Sequence, residues 1–253
     1  MFRPRPRLSR SPLVFAVLAL AGCAARPTAA PAAAADASDS AHEVAAAFLD
    51  AVHQGALARA GALFDFESQV KLDQAGATAS AIAAHQFDYA RDGVRRDVEA
   101  ALSPGQREAE RARRLHNLAS VLKQGHCTPG GAAPVRISPR WERPTEPQAL
   151  AAVEAFWDVA WLEQLAALEF VPLTCAEPVA LYPDAEYSPV DRLVALVLVR
   201  TRSAPRPRVL DVMPRESPTS VMLLLQELDL TEADWRRIEA LRDETAATDA
   251  NPR

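Results

Sequence analysis

The chain has 253 residues, 28 of them basic and 33 acidic, with a formal charge of −5 and 49% hydrophobic residues. Four of the basic residues (Arg3, Arg5, Arg7 and Arg10) and none of the acids lie before Cys23, so the remainder carries 24 cations against 33 anions, a charge of −9. A body that acidic has no general attraction for phosphate backbones or anionic bilayers, which argues against nucleic acid as a partner, and its apolar content argues against a wholly disordered chain.

From Leu13 to Gly22 every residue is apolar or small. This 10-residue run follows a basic start and falls short of the roughly 20 residues that a membrane-spanning helix needs. The pattern is that of a cleaved secretory signal over residues 1–22. Its end, Leu20-Ala21-Gly22-Cys23, resembles the lipobox of bacterial lipoproteins at all four positions. The resemblance implies a diacylglyceryl group on the Cys23 thiol, cleavage after Gly22 and acylation of the new amine, which makes membrane lipid the first partner. Each buried methylene contributes about 0.8 kcal/mol, so one chain holds weakly and two or three hold firmly. Ala24, rather than an aspartate, follows the cysteine. By the family's sorting habit that favours the outer membrane, with the domain on its periplasmic face. The rival readings are an ordinary signal with a chance cysteine and a short uncleaved anchor.

Residues 23–39 are rich in Ala and Pro with no large apolar side chain, and read as a disordered tether. Order is expected from Ser40, where Ser40 and Glu43 form a capping box ahead of a helix with Val44, Phe48 and Val52 on one face, stopping at Gly55. A second short helix carries Leu57, Leu63 and Phe64, and 74–102 is helical in parts. Ser103-Pro104-Gly105-Gln106 opens a helix with Leu115, Leu118 and Leu122 on one side, running to Gly125. "VRISPRW" suggests a strand broken by Pro139. Thr145 to Gln148 repeats the capping signature, and the composition predicts one long helix over 149–170. β-rich runs follow, of which "DRLVALVLVRTR" and "PRVLDVMP" read as an antiparallel hairpin. The end returns to helix, with Thr231 as a cap and a flexible tail over 245–253. Helices, then strands, then helices predict an α+β fold, mostly helical with a small antiparallel sheet, as a single domain over 40–244.

"AAAFLDAVHQGALARAGALFDFE" resembles the first helical pair of NTF2-like (cystatin-like cone) domains, and "DRLVALVLVRTRSAPRPRVLDVMP" resembles their long final strands. The resemblance implies a curved sheet wrapped around helices with a pocket. That family has no fixed catalytic motif, so no site residue is carried over.

Cys127 and Cys175 remain once Cys23 is spent on lipid. Outside the cytosol their pairing is the default, closing a loop of 47 residues and contributing about 4 kcal/mol in the loop-entropy picture. Two separate thiols, or a reactive His126-Cys127 pair, are the alternatives. No G-x-S-x-G, Walker or calcium loop is present. His42-Glu43 lacks the second zinc ligand, because position 46 is Ala46. S-x-x-K occurs at Ser68–Lys71 and Ser120–Lys123 without its companion motifs. The paired acids Asp65 with Glu67 and Glu154 with Asp158 read as solvated faces. No catalytic residue, metal or cofactor is therefore assigned. The aromatic cluster Trp141, Phe156, Trp157 and Trp161 reads first as plain core, and it is also the candidate pocket or partner surface, for an envelope protein or an apolar ligand. The functional expectation is a non-enzymatic lipoprotein with a binding domain that serves envelope assembly or maintenance; the alternative is an enzyme with a cone-like pocket.

Overall fold

A computed structural model of the chain describes residues 40–249, apart from 140, 142, 144, 155, 156, 184, 185, 187, 205, 218 and 229. The signal, Cys23, the tether and positions 250–253 lie outside the described residues.

The cap at Ser40 forms in both directions: Ser40 Oγ accepts from the Glu43 N–H at 3.2 Å and Glu43 Oε2 accepts from the Ser40 N–H at 2.8 Å. α1 (Ala41–His53) buries Val44, Phe48, Leu49 and Val52. The chain leaves it through Gly55 at φ +68°, a conformation cheap only for glycine. After α2 (Leu57–Leu63), Phe64 bridges to Val209, and Asp65 caps α3 (Phe66–Ala83) by accepting from the Ser68 N–H at 3.1 Å. A π-helical turn, Tyr89–Gly93, leads into α4 (Val94–Leu102). α5 (Arg107–Gln124) buries Leu115, Leu118 and Leu122 as their spacing predicts. It starts at Arg107 because Ser103 to Gln106 form a turn, with the Ser103 carbonyl accepting from the Gln106 and Arg107 N–H groups.

β1 (Thr128–Pro129) and β2 (Val135–Ile137) follow. The helix expected over 149–170 is not there. Its place is taken by α6 (Pro147–Glu154), α7 (Val159–Gln164) and β3 (Leu165–Thr174). Asp158 restarts the helix by accepting from the Trp161 N–H at 2.9 Å. "LAALEFVPLT" then becomes a strand because both of its edges are paired, by β1 and β2 on one side and β6 (Leu193–Thr201) on the other. Non-local pairing overrides the helix propensity of its Ala, Leu and Glu. β4 (Val179–Ala180) and β5 (Val190–Asp191) form a separate short ladder. β7 (Arg208–Pro214) pairs antiparallel with β6, the hairpin read from the sequence, and ends the order β1-β3-β6-β7. α8 (Ser220–Glu227) and α9 (Glu232–Asp249) close the chain. α9 continues five residues past Glu244, where a flexible tail was expected, since no Gly or Pro interrupts 244–249.

The fold is α+β, with helices on both faces of the sheet. Val171, Leu173, Leu196, Leu198 and Val209 join α1, α2 and α5 in one core cluster. Leu168, Phe170, Val197, Val199 and Leu210 join Trp161, α8 and α9 in the other. Two covered faces explain why β6 reads as a continuous apolar run, buried from Leu193 to Val199, instead of alternating. α3 lies across the β7 edge and joins both layers, sending Val70 to the first cluster and Leu72 to the second. Gly76 permits its close approach to α8, because a Cβ there would sit 2.8 Å from Ser220 Cα. The sulfurs of Cys127 and Cys175 stand 2.07 Å apart, at disulfide distance, joining the end of α5 to the end of β3. The free-thiol alternatives, including a reactive His126-Cys127 pair, do not fit that placement. No helix among the described residues is long and apolar enough to cross a membrane.

Candidate functional site

The tryptophans chosen from the sequence do not line an apolar pocket. Trp161 is 5% exposed in the core, with its indole N–H 3.4 Å from Ser68 Oγ. Trp157 precedes the Asp158 cap, so the two do not share a helix face. The space beside both is about 10 Å³, room for one water. Trp141 packs partly buried on the second core cluster, and Phe156 lies outside the described residues. Trp161 also reaches the wall of a larger cleft of about 590 Å³, but that wall is charged. Its cations are engaged: Lys71 with Asp158 at 3.0 Å, Arg107 with Glu67, and Arg111 and Arg208 with the Gly61 and Ala62 carbonyls, each at 3.0 Å.

Five of the other motif residues hold local structure together. Asp65 and Asp158 are helix caps, and Glu154 pairs with Arg143 at 3.3 Å. Ser68 and Lys71 are held by Trp161 and Asp158. Among the described residues no three His, Cys, Asp or Glu side chains converge as a metal site.

A different cleft stands out, with a volume of about 430 Å³. α3 supplies Gln69 and Asp73, four apart and hence on one face. α5 supplies Arg113, Arg114 and Asn117, and β7 supplies Asp211. Thr219 and Ser220 come from the start of α8, and the exposed Tyr182 from the β4–β5 loop stands at the rim. Asp211 enters this cleft beside a bulge in the edge strand. Val197 pairs with Asp211 and Leu198 with Val209, which leaves Leu210 as the extra residue. Bulges re-aim side chains in this way.

A network of ion pairs shapes the wall. Arg114 bonds Asp73 and, through Nε, Glu110 Oε1 at 2.7 Å. Arg113 grips the same Glu110 with two bonds of 2.6 and 2.8 Å. Those guanidinium bonds, Arg113's first and Arg114's after it, outweigh burial and hold the Glu110 carboxyl below the usual range. Ser220 Oγ donates to Asp73 Oδ1 at 2.9 Å. Asp211 accepts from the Val212 N–H at 2.8 Å through Oδ1. Burial, then the negative charge of Asp73, pushes its carboxyl up to about 7, against the pull of the Val212 N–H and Arg114. Burial and the same two carboxylates raise the Tyr182 phenol.

Three side-chain atoms of this wall (Gln69 Oε1, Asn117 Oδ1 and Thr219 Oγ1) are buried without a hydrogen-bond partner among the described residues. A lone buried acceptor costs about 1–3 kcal/mol, and the 590 Å³ cleft has none. A group that carries a proton at near-neutral pH therefore shares its wall with two unmet amide oxygens and one unmet hydroxyl, buried just behind the cleft surface. The arrangement can take up a hydrogen-bond-donating ligand or exchange a proton with one. Sequence reasoning passed over Asp211, although one acid inside the apolar run "VLDVM" was a signal. No protein family, curated protein or solved structure matches the chain.

Proposed function

We propose that the chain is a bacterial envelope lipoprotein, fastened to the outer membrane by acyl chains on Cys23, whose domain binds a small polar ligand in the cleft at the β7 edge. The observation that carries the binding reading is the set of unpartnered buried polar atoms in residues that line the cleft with Asp211. Folding leaves such groups unsatisfied only at a cost, and a bound molecule offsets it. The anchor reading is supported by Leu20-Ala21-Gly22-Cys23 and by the tether after it. The NTF2-like reading is supported by the α1–α2 pair packed in one core with the closing hairpin. Envelope maintenance is the role proposed for such a domain, with no catalytic step assigned to it.

Fractionation tests the anchor. The wild type is expected to take up labelled palmitate and sediment with outer membranes, and Cys23→Ser is expected to do neither. Sedimentation of the variant, with no label in the wild type, would refute it. Native mass spectrometry of the chain recovered gently from envelopes tests the second half, and an empty cleft in every preparation would count against a resident ligand.

One observation favours a second reading, an enzyme. A carboxyl poised near neutrality beside a second carboxylate suits general acid–base work. That reading requires loss of a turnover in Asp211→Asn.

A further inference from the structure

We propose that the cleft between α3, α5 and β7 is a binding site for small alkylammonium ligands, with the Asp211 and Asp73 carboxylates receiving the cationic head. The inference deepens the ligand-binding reading above and rests on it. Its first support is a surplus of acceptors. Gln69, at 8% exposure, leaves Oε1 unpaired, as Asn117 does its Oδ1. Asp211 uses Oδ1 on the Val212 N–H, and its other oxygen accepts nothing among the described residues. An ammonium brings three donors and no acceptor, whereas a carboxylate or phosphate brings acceptors only.

The second support is charge. Two carboxylates, Asp73 and Asp211, and two guanidiniums, Arg113 and Arg114, line the cleft, and Glu110 behind that lining holds both guanidiniums. The guanidiniums that would draw an anion are already engaged by Glu110 and Asp73. With both guanidiniums engaged, an ionised Asp211 faces the charge of Asp73, which repels it. A cation between the two acids removes that repulsion.

The third support is size and lining. A volume of about 430 Å³ fits a small molecule and far exceeds a bare ion. Leu118, Val121, Leu181, Val212 and Pro214 provide apolar wall for a short hydrocarbon stem.

Binding is therefore coupled to one proton. The charged or titratable groups facing Asp211 are Asp73 from α3, Arg113 and Arg114 from α5, and Tyr182 from the β4–β5 loop. β6 places Val197 opposite it, and the start of α8 offers only Thr219 and Ser220. The ammonium prefers ionised Asp211, so affinity rises with pH through about 7.

The test is calorimetric titration of the full chain in detergent with n-butylamine, butan-1-ol and butyrate at pH 6 and pH 8. The amine is expected to bind and the other two are not. Binding is expected to be about ten-fold tighter at pH 8, with proton release near pH 7. Asp211→Asn is expected to weaken amine binding by more than about ten-fold and flatten the pH dependence. Gln69→Leu is expected to weaken it without flattening, which gives a second reading if Asp211→Asn folds poorly. Butyrate binding as well as the amine, or pH-independent amine binding, overturns the proposal. Failure of all probes, with another compound retained in native mass spectra, overturns the amine alone and leaves the binding reading standing.

Discussion

Ser220 Oγ donates to Asp73 Oδ1 at 2.9 Å across 147 positions of sequence, tying the first residue of α8 to the middle of α3 at the floor of the polar cleft. The contact exists because Gly76, one turn along α3 from Asp73, has no side chain to hold Ser220 away. Gly76→Ala would place a methyl 2.8 Å from Ser220 Cα. Helix propensity alone would make this change favourable; the close backbone approach reverses the sign. The expected outcome is a loss of about 1–3 kcal/mol, read as a lower denaturation midpoint at unchanged slope. A stabilised variant would mean that α3 and α8 do not meet at this distance.

Asp191 is the clearest structural carboxylate. It accepts from the N–H groups of Arg192 at 2.7 Å, Glu216 at 2.9 Å and Ser217 at 2.6 Å, clamping the exit of β7 to the start of β6. Burial works to raise this carboxyl, but the Ser217 and Glu216 amides outweigh it and hold it below its ordinary 3.8. Because the folded state favours the ionised form, the stabilisation is present above about pH 4 and is lost as pH falls through the depressed value. Asp191→Asn is expected to cost about 1.5–3 kcal/mol at pH 7, with the gap to wild type narrowing below pH 4. Urea midpoints at pH 7 and pH 3 check this, and an equal gap at both would refute the clamp.

Cys127 and Cys175, at disulfide distance, close the chain between the end of α5 and the end of β3. Peptide mapping of the exported protein without reductant is expected to recover the two cysteines as one cross-linked species. The double variant Cys127→Ala with Cys175→Ala is expected to lose about 2–5 kcal/mol. Two alkylatable thiols in exported material would refute the pairing.

How much of this was legible in the sequence varies with how local the signal is. The Ser40 and Thr231 caps were readable because their partners lie three residues away, and the 193–214 hairpin because its strands follow one another across a single short loop. β3 was not, because "LAALEFVPLT" is made a strand by partners some 30 residues away on both sides. The same non-locality hid the cleft. Gln69, Asp73, Arg114 and Asp211 are unremarkable in four separate segments, and only the crossing of α3 over the β7 edge brings them together. The tryptophans were conspicuous for their size, and that size is what places Trp161 in the core, the plainer of the two readings of the aromatic cluster.

Asp211 provides the last test, because its stability effect has the opposite sign to that of Asp191. Burial and the neighbouring Asp73 disfavour its charged form and lift the carboxyl to about 7. Ionisation therefore costs the folded state stability, beginning near the unfolded value of about 4 and complete above about 7. Asp211→Asn keeps the shape without the charge, so it is expected to match wild type near pH 4 and exceed it by on the order of 2 kcal/mol at pH 8. Thermal midpoints across that range check the divergence. A variant less stable than wild type at pH 8 would mean that Asp211 is held by favourable contacts and is a structural residue. A more stable one would identify a charge kept at a cost to the fold, the trade expected of a residue retained for binding.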